Sequence, residues 1–313
     1  MQAMILAAGL GTRLRPHTLR RPKPLFPILD RPLLLRIIAD LRRAGYRRIV
    51  VNAFHLREQI ASLLAGATDL EVQLEERELG TGGGLRLARP RFTAEPVLVV
   101  NGDIWHDIDY CAVMAQHLAA GNDATLVLHD QPRFNKVLLT PDLAVRSFAA
   151  TDADLAGAGE GARLLAFTGI QVVDPALLDL IPEGLFYHSI DWYHQLIRLG
   201  YRVQAMVAVN HCWTDMGTPA DYLDLHARLL GFGAKGRGKP THVGTGPVIV
   251  PPGAAPFFLG KQVRREAGVE FADWVVVGSR AVLARSVKLR RCVVWDHVEV
   301  PAGTIAEDTI FSG

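Results

Sequence analysis

The stretch from Met4 to Pro24, MILAAGLGTRLRPHTLRRPKP, constrains this chain more than any other part. An apolar run, Met4 to Ala8, stops at Gly9; Gly11, Thr12, Arg13 and Arg15 follow, and Lys23 stands between Pro22 and Pro24. That order reads as a first β-strand opening into an anion-binding loop. Glycines let backbone N–H groups turn toward a phosphate, and the cations neutralise it. Spacing excludes two better-known phosphate loops. A Walker A loop needs G-x-x-x-x-G-K-[ST], which the sequence lacks, and the dinucleotide fingerprint needs glycine at position 14, where Leu14 stands.

The rest of the chain alternates strands and helices. Apolar residues at 33, 34, 37, 38 and 41 make a helical stripe over 32–44, ended by Gly45. A strand at 48–54, a helix at 55–65 and an alternating strand at 70–74 follow. The apolar strand 96–100 runs into Asn101-Gly102-Asp103. Continuous apolar strands between helices predict a parallel sheet covered on both faces, with ligands outside the strands' carboxyl ends. Both Gly9–Arg13 and Asn101–Asp103 occupy such ends. Strands are expected at 124–129, 136–139, 164–173 and 201–209, and helices at 188–199 and 219–230. Thr218 and Pro219 suit the N-cap and first position of the last helix. GFGAKGRGKP, 231–240, reads as a linker between a domain over 1–230 and a tail over 241–313.

The tail has its own period. Val277, Leu283, Leu289 and Trp295 are six residues apart, and Ala281, Val287, Val293 and Ile305 follow the same step, with Glu299 breaking it once. A six-residue repeat predicts coils of a left-handed β-helix, with His297 an exposed coil residue. Trp295 and Phe311 are large apolar groups to leave in water, so the tail is expected to make a homo-oligomer. Loss of 240–313 is expected to leave some of the chemistry intact while weakening assembly or stability.

With 313 residues, 49% of them apolar, the chain can bury one large domain and a smaller appendage. A net charge of +2 gives no sign of a polyanion-binding surface, so no nucleic-acid partner is expected, and Arg42-Arg43 and Arg47-Arg48 read as solvated faces. Cys111, Cys212 and Cys292 lie far apart and read as reduced thiols of a cytoplasmic protein. No apolar run approaches the ~20 residues of a membrane span. Met1 leads straight into the first strand, leaving no room for a signal peptide.

Chemistry is concentrated in a few motifs. Asp103, after a buried strand and a turn glycine, suits a hard oxygen-coordinated cation such as Mg2+. Three consecutive glycines in ELGTGGGLRLA, 78–88, let backbone approach a flat ligand or a phosphate. Asp215 in HCWTDMGTPADY, 211–222, could by itself be a turn residue.

In their order, G-x-G-T-R, P-K-P, the T-G-G-G run, N-G-D, F-T-G-I and W-x-D-x-G-T-P resemble the signature of sugar-1-phosphate nucleotidylyltransferases over residues 1–230. The resemblance implies an α/β fold: a Rossmann-like nucleotidyltransferase domain with a mixed, mostly parallel sheet, plus the short coil tail. It implies an NTP and a sugar 1-phosphate as substrates, with Mg2+ or Mn2+ held by Asp103 and Asp215. Nucleotide contacts would come from Ala7, Ala8, Gly9, Gly11, Thr12, Arg13, Lys23, Thr81, Gly82 and Gly83. Sugar-phosphate contacts would come from Asn101, Asn135, Thr168 and Gly169. Arg13 would stabilise leaving pyrophosphate, and Lys23 would organise the α-phosphorus. The catalytic part looks most like N-acetylmuramate-1-phosphate uridylyltransferases, which implies UTP with an amino-sugar or hexose 1-phosphate. The tail is more usual in mannose-1-phosphate guanylyltransferase-like members, which makes GTP with mannose or heptose 1-phosphate the alternative, and a silent NTP- or NDP-sugar-binding homologue the second. The family's E-K-P lysine is missing; Lys136 and Arg163 are its candidate substitutes.

Overall fold

The computed structural model describes residues 1–233, 236–237, 248–249 and 256–313; much of the linker expected at 231–240 lies outside the described residues. By the density of internal contacts the chain falls into two units: Met1–Leu10 with Ile37–Trp213, and Gly11–Arg36 with Thr214–Gly313.

In the first unit the apolar runs become a sheet. Strand β1 (Gln2–Leu6) pairs in parallel with β2 (Arg48–Ala53) on one side and with β4 (Val97–Asn101) on the other, and β3 (Leu70–Leu74) extends the β2 edge. Ala3, Met4 and Ile5 are fully buried, which is why β1 is apolar at consecutive positions and not alternating. Five further strands complete the sheet: β5 (Ala124–His129), β6 (Val137–Leu139), β7 (Val145–Ser147), β8 (Arg163–Val173) and β9 (Val203–Val207). The long β8 runs antiparallel to β4, β5 and β6, while β9 lies parallel to β5. The sheet is therefore mixed and mostly parallel beneath its helices. Among these, α1 (Leu33–Arg43) buries the predicted stripe Leu33, Leu34, Ile37, Ile38 and Leu41.

Two helices depart from the sequence reading. Helix α2 (Arg57–Leu64) falls where expected, but the three-glycine run, read as backbone open to a ligand, is itself helical in α3 (Gly80–Ala88). Each of these glycines costs about 1 kcal/mol of helix propensity against alanine. Packing explains them: a Cβ on Gly83 would lie 2.5 Å from Leu185 O, and one on Gly84 2.7 Å from Asn52 Nδ2. Helix α4 (Tyr110–Ala120), which carries no strong apolar stripe, was not anticipated; Asp109 caps it, and Gly121 closes it at φ +58°.

The second unit contains helix α5 (Pro219–Leu229) and the tail. Thr218 caps α5 by accepting from Asp221 N, with Pro219 at its first position, as the sequence implied. In the tail, β10 (Phe257–Leu259), β11 (Glu270–Val277), β12 (Lys288–Val294), β13 (Ile305–Glu307) and β14 (Ile310–Phe311) stack in parallel. Phe258 sits beside Val276, Val276 beside Val293, and Val293 beside Ile310. A left-handed backbone recurs from coil to coil: Gln262, Arg280 and His297 in turns at φ 57–62°, and Asp273, Arg291 and Asp308 at φ 48–57°, the first two of these inside β11 and β12, where the register of β11 shifts. That conformation is costly for non-glycine residues. Coil stacking supports it, since Arg291 bridges Asp273 and Asp308 at 2.7 Å each.

Val277, Leu283, Leu289 and Trp295 are buried as the period predicted, and so are Ala281, Val287 and Val293. Ile305 is not: it is 79% exposed. The last coil is one residue short, so Ala306 and not Ile305 lies beside Leu289, and Ile305 pairs with outward-facing Lys288. A one-residue slip sends a strand's side chains to the other face. Trp295, 1% exposed, packs against this chain's own Phe26 and Tyr222, so its burial does not by itself carry the expected homo-oligomer.

Candidate active site

Each unit carries part of the predicted site. In the first, β1 ends at Leu6, and Ala7 N donates to Asn52 Oδ1 at 2.8 Å. Asn52 Nδ2 donates to Glu75 Oε1 at 2.7 Å, and Gln73 Nε2 donates to Glu75 Oε1 and to Gly84 O. Asn52, Gln73 and Glu75 are each 1% exposed. Burial raises the Glu75 carboxyl above its ordinary range, and the bonds from Asn52 and Gln73 offset only part of that. This network ties the end of β1 to α3. No motif announced it; its one sequence signal is polar residues closing otherwise buried strands.

The Asn-Gly-Asp turn also rests on β1. Gly102 N donates to Leu6 O at 2.8 Å, and a Cβ there would lie 2.9 Å from the same oxygen, so glycine is required. Half-buried Asp103 follows. A bulge in β8 places Gly169 at φ +81°, with Asn101 Nδ2 2.8 Å from where its Cβ would be. The structure thus brings Asn101 and Gly169 together. Thr168 is turned inward: its hydroxyl donates to Val127 O at 2.8 Å, and its carbonyl accepts from Trp213 Nε1. Asn135 closes the 130–135 turn, accepting from Gln131 N and donating to Asp130. Lys136 and Arg163 are exposed.

The three-glycine run also has an internal job. Gly82 N and Gly83 N donate to Tyr187 O at 2.8 and 3.2 Å, and the Thr81 hydroxyl pairs with Ser189. Those two amides are directed at the chain's own 184–189 segment, so their capacity to face a ligand is smaller than the sequence suggested.

The second unit gathers the charged residues. Gly11, at φ +59°, needs to be glycine because a Cβ would lie 2.9 Å from Thr18 Cγ2. Thr12, Arg13 and Leu14 then form one short 3-10 turn, and Lys23, Pro24 and Leu25 another. Lys23 is 5% exposed, and its Nζ lies 3.1 Å from Asp215 Oδ1. Arg13 Nη2 lies 3.7 Å from the other Asp215 oxygen. Gly217 lets Arg13 lie there, since a Cβ would meet Arg13 Nη1 at 2.8 Å. Two cations around one carboxylate leave a net positive charge suited to phosphate oxygens. The glycine of W-x-D-x-G-T-P therefore serves Arg13, a role its motif did not disclose.

Among the described residues no group of three or more His, Cys, Asp or Glu side chains forms a metal cage. Mg2+ does not require one: it commonly takes one or two carboxylates and completes its shell with water and substrate phosphates. Asp103 and Asp215 fit that donor chemistry. No helix among the described residues is long and apolar enough to cross a membrane.

Comparisons with known proteins agree on one kind of chemistry. Residues 2–136 match the Nucleotidyl transferase family model. The chain is 33% identical over 230 residues to an N-acetylmuramate alpha-1-phosphate uridylyltransferase of Neisseria meningitidis, covering 70% of this chain and 94% of that one. It is 26% identical to a UTP--glucose-1-phosphate uridylyltransferase of Synechocystis, covering 100% of this chain and 87% of that one. It is 27% identical to a mannose-1-phosphate guanylyltransferase of Mycobacterium tuberculosis, covering 98% and 83%. The fold matches the crystal structure of HddC from Yersinia pseudotuberculosis complexed with GMP-PN, with a TM-score of 0.60, 23% identity and coverage of 72% and 98%.

Proposed function

Because this chain belongs to the sugar-1-phosphate nucleotidylyltransferases, transferases of phosphorus-containing groups, we propose that it joins UTP and an amino-sugar or hexose 1-phosphate, releasing pyrophosphate. A sugar-phosphate oxygen attacks the α-phosphorus in line; the bond to the β-phosphate's bridging oxygen breaks, and pyrophosphate leaves with those electrons. The nucleophile is already ionised at neutral pH, so no general base is needed. Catalysis then rests on positioning and charge neutralisation.

The observation that carries this reading is the Arg13–Asp215–Lys23 cluster. Lys23, buried and held, orients the α-phosphate, while the more exposed Arg13 receives the charge that develops on pyrophosphate. Asp103 and Asp215 would hold Mg2+ or Mn2+, which supplies further neutralisation of phosphate charge. Ala7 and the turn after it bind the nucleotide, with the Asn52–Glu75 network behind them; Asn101 and Gly169 border the sugar-phosphate position. We read the tail as a left-handed β-helix and the protein as cytoplasmic.

UTP is favoured because two similar proteins are named uridylyltransferases, and one of them, matching the whole length of this chain, is named for UTP itself. The second reading, GTP with mannose or heptose 1-phosphate, is favoured by the guanylyltransferase relative whose match spans 98% of this chain. A pyrophosphate-release screen of four or five NTPs against a panel of sugar 1-phosphates with Mg2+ tests both. The highest kcat/KM is expected with UTP. A maximum with GTP and mannose 1-phosphate establishes the second reading, and NTP binding without turnover on any pair establishes a silent homologue.

A further inference from the structure

The segment that carries Lys23 has little regular structure of its own: two short 3-10 turns at His17–Leu19 and Lys23–Leu25. Its order comes from residues nearly 300 positions later. Arg21 makes a two-pronged ion pair with Asp296, Nη1 to Oδ1 at 2.7 Å and Nη2 to Oδ2 at 3.2 Å. The same guanidinium lies over the Trp295 ring at 4.7 Å. On the other side of Lys23, Phe26 meets Trp295 edge-on at 4.7 Å. Trp295 Nε1 donates to the Tyr222 hydroxyl at 3.1 Å, and that hydroxyl donates to Pro27 O at 2.5 Å. His17 pairs with Ser312 at 2.9 Å.

Two features make this more than a docking contact. Lys23 is bracketed, since Arg21 and Phe26, two residues before it and three after, both rest on Trp295. Its partner is bracketed too: Asp215 runs through Gly217 into α5, and α5 supplies Tyr222, the acceptor for Trp295, and His226, whose Nε2 accepts from Leu29 N at 3.1 Å. One indole thus braces both the segment holding the lysine and the helix following the carboxylate.

We propose that Trp295 and Asp296 are positioning residues of the phosphate site: the coil tail, through Arg21 and Phe26, holds Lys23 at its distance from Asp215. This rests on the catalytic reading of Lys23 given above. It limits how much of the chemistry is expected to survive loss of 240–313. A slack Lys23 would still meet the nucleotide's charge but would miss the geometry of the α-phosphorus in the transition state, so kcat falls more than KM rises.

The test uses the full chain, with pyrophosphate release, KM for UTP and sugar 1-phosphate, and thermal unfolding measured together. Asp296→Asn removes the ion pair, and Trp295→Phe keeps an aromatic ring while removing the bond to Tyr222. Each is expected to lower kcat at least tenfold, with KM changed less than about threefold and a cooperative melt retained. The charge swap Arg21→Asp with Asp296→Arg is expected to recover a good part of the kcat lost in Asp296→Asn. Should either single variant be too unstable to assay, the other carries the test. Variants that melt cooperatively with kcat within twofold of the parent overturn the proposal, as does a loss in KM alone. Lys23→Ala is the control: if it keeps full activity the catalytic reading itself falls, whereas an inactive Lys23→Ala beside a fully active Asp296→Asn defeats only the positioning role.

Discussion

The two units place site residues by different physical means. In the first, Asp103 and Asn101 stand at the end of a strand paired on both sides, and their positions follow from backbone ladders: β4 on β1, and β8 on β4. Even the polar support there is short-range, Asn52 and Glu75 lying at corresponding ends of neighbouring strands. In the second, Arg13 and Lys23 stand on an irregular segment whose anchors are Asp296, Trp295 and Ser312. Regular structure positions a residue through bonds that every residue type can make. An irregular loop must borrow rigidity from particular side chains, so it is more exposed to single substitutions and to pH.

Five measurements test that difference, the largest effect first. Trp295→Ala should cost about 3–5 kcal/mol, the range for removing a fully buried large aromatic, and should lower activity with it. Calorimetry decides; a loss below about 1 kcal/mol would mean the second unit does not depend on this anchor. Asp215→Asn should lower kcat/KM by about two to three orders of magnitude, by analogy with loss of a preorganised charged partner, and should lower the melting temperature as well, because buried Lys23 loses its counter-charge. Near-normal Mg2+-dependent turnover would remove Asp215 from the site.

The third measurement is pH dependence. His226 is fully buried, accepts from Leu29 N and donates through Nδ1 to Tyr222 O; burial pushes its pKa down to about 4. A lowered folded-state value means that the unfolded chain binds the extra proton first. Stability from this group is therefore present above the ordinary value of 6.5 and is lost as pH falls from there toward 4. Urea titrations at the two ends should show an acid-side loss of as much as ~3 kcal/mol, largely absent in His226→Gln. Equal acid sensitivity in both proteins would show that His226 is not the titrating group.

In the first unit, Asn52→Ala leaves the Ala7 amide without its side-chain acceptor and Glu75 with only the Gln73 donor, at a cost of about 1–3 kcal/mol. It should also raise KM for the nucleotide more than it lowers kcat, the reverse of the pattern expected for Asp296→Asn. The same kinetic pattern in both would erase the contrast between the units. The smallest effect is expected from Gly217→Ala. The new methyl meets the mobile end of Arg13, so stability should hardly move while turnover falls about tenfold. A destabilised but fully active variant would show that Gly217 serves the backbone and not Arg13.

Much of this molecule was legible in its residues. The strands 48–53, 70–74 and 97–101 and the α1 stripe follow from local periodicity, because a strand or helix buries its own pattern. Gly11, Gly102, Asp103, Lys23 and Asp215 were marked by motif spacing. The helical state of Gly80–Ala88 was not legible, because those glycines answer to the backbone of residues 185–188 and to Asn52, not to their neighbours. Ile305 pointed inward by period and outward in fact, since one residue missing from the last coil is invisible to a six-residue count.

By itself, then, the sequence determined the chemical types at the site, the nearest-neighbour structure and the existence of a repeating tail, all of which depend on residues a few positions apart. Only the tertiary structure decided that the tail's Trp295 belongs to the loop of Lys23, that Thr168 turns inward and that Asn52 supports Ala7. Those pairings span 41 to 275 residues, as between Thr168 and Val127 or Arg21 and Asp296. No local pattern encodes them, because burial rewards whichever distant side chain fills the space, and only the folded chain specifies which one arrives.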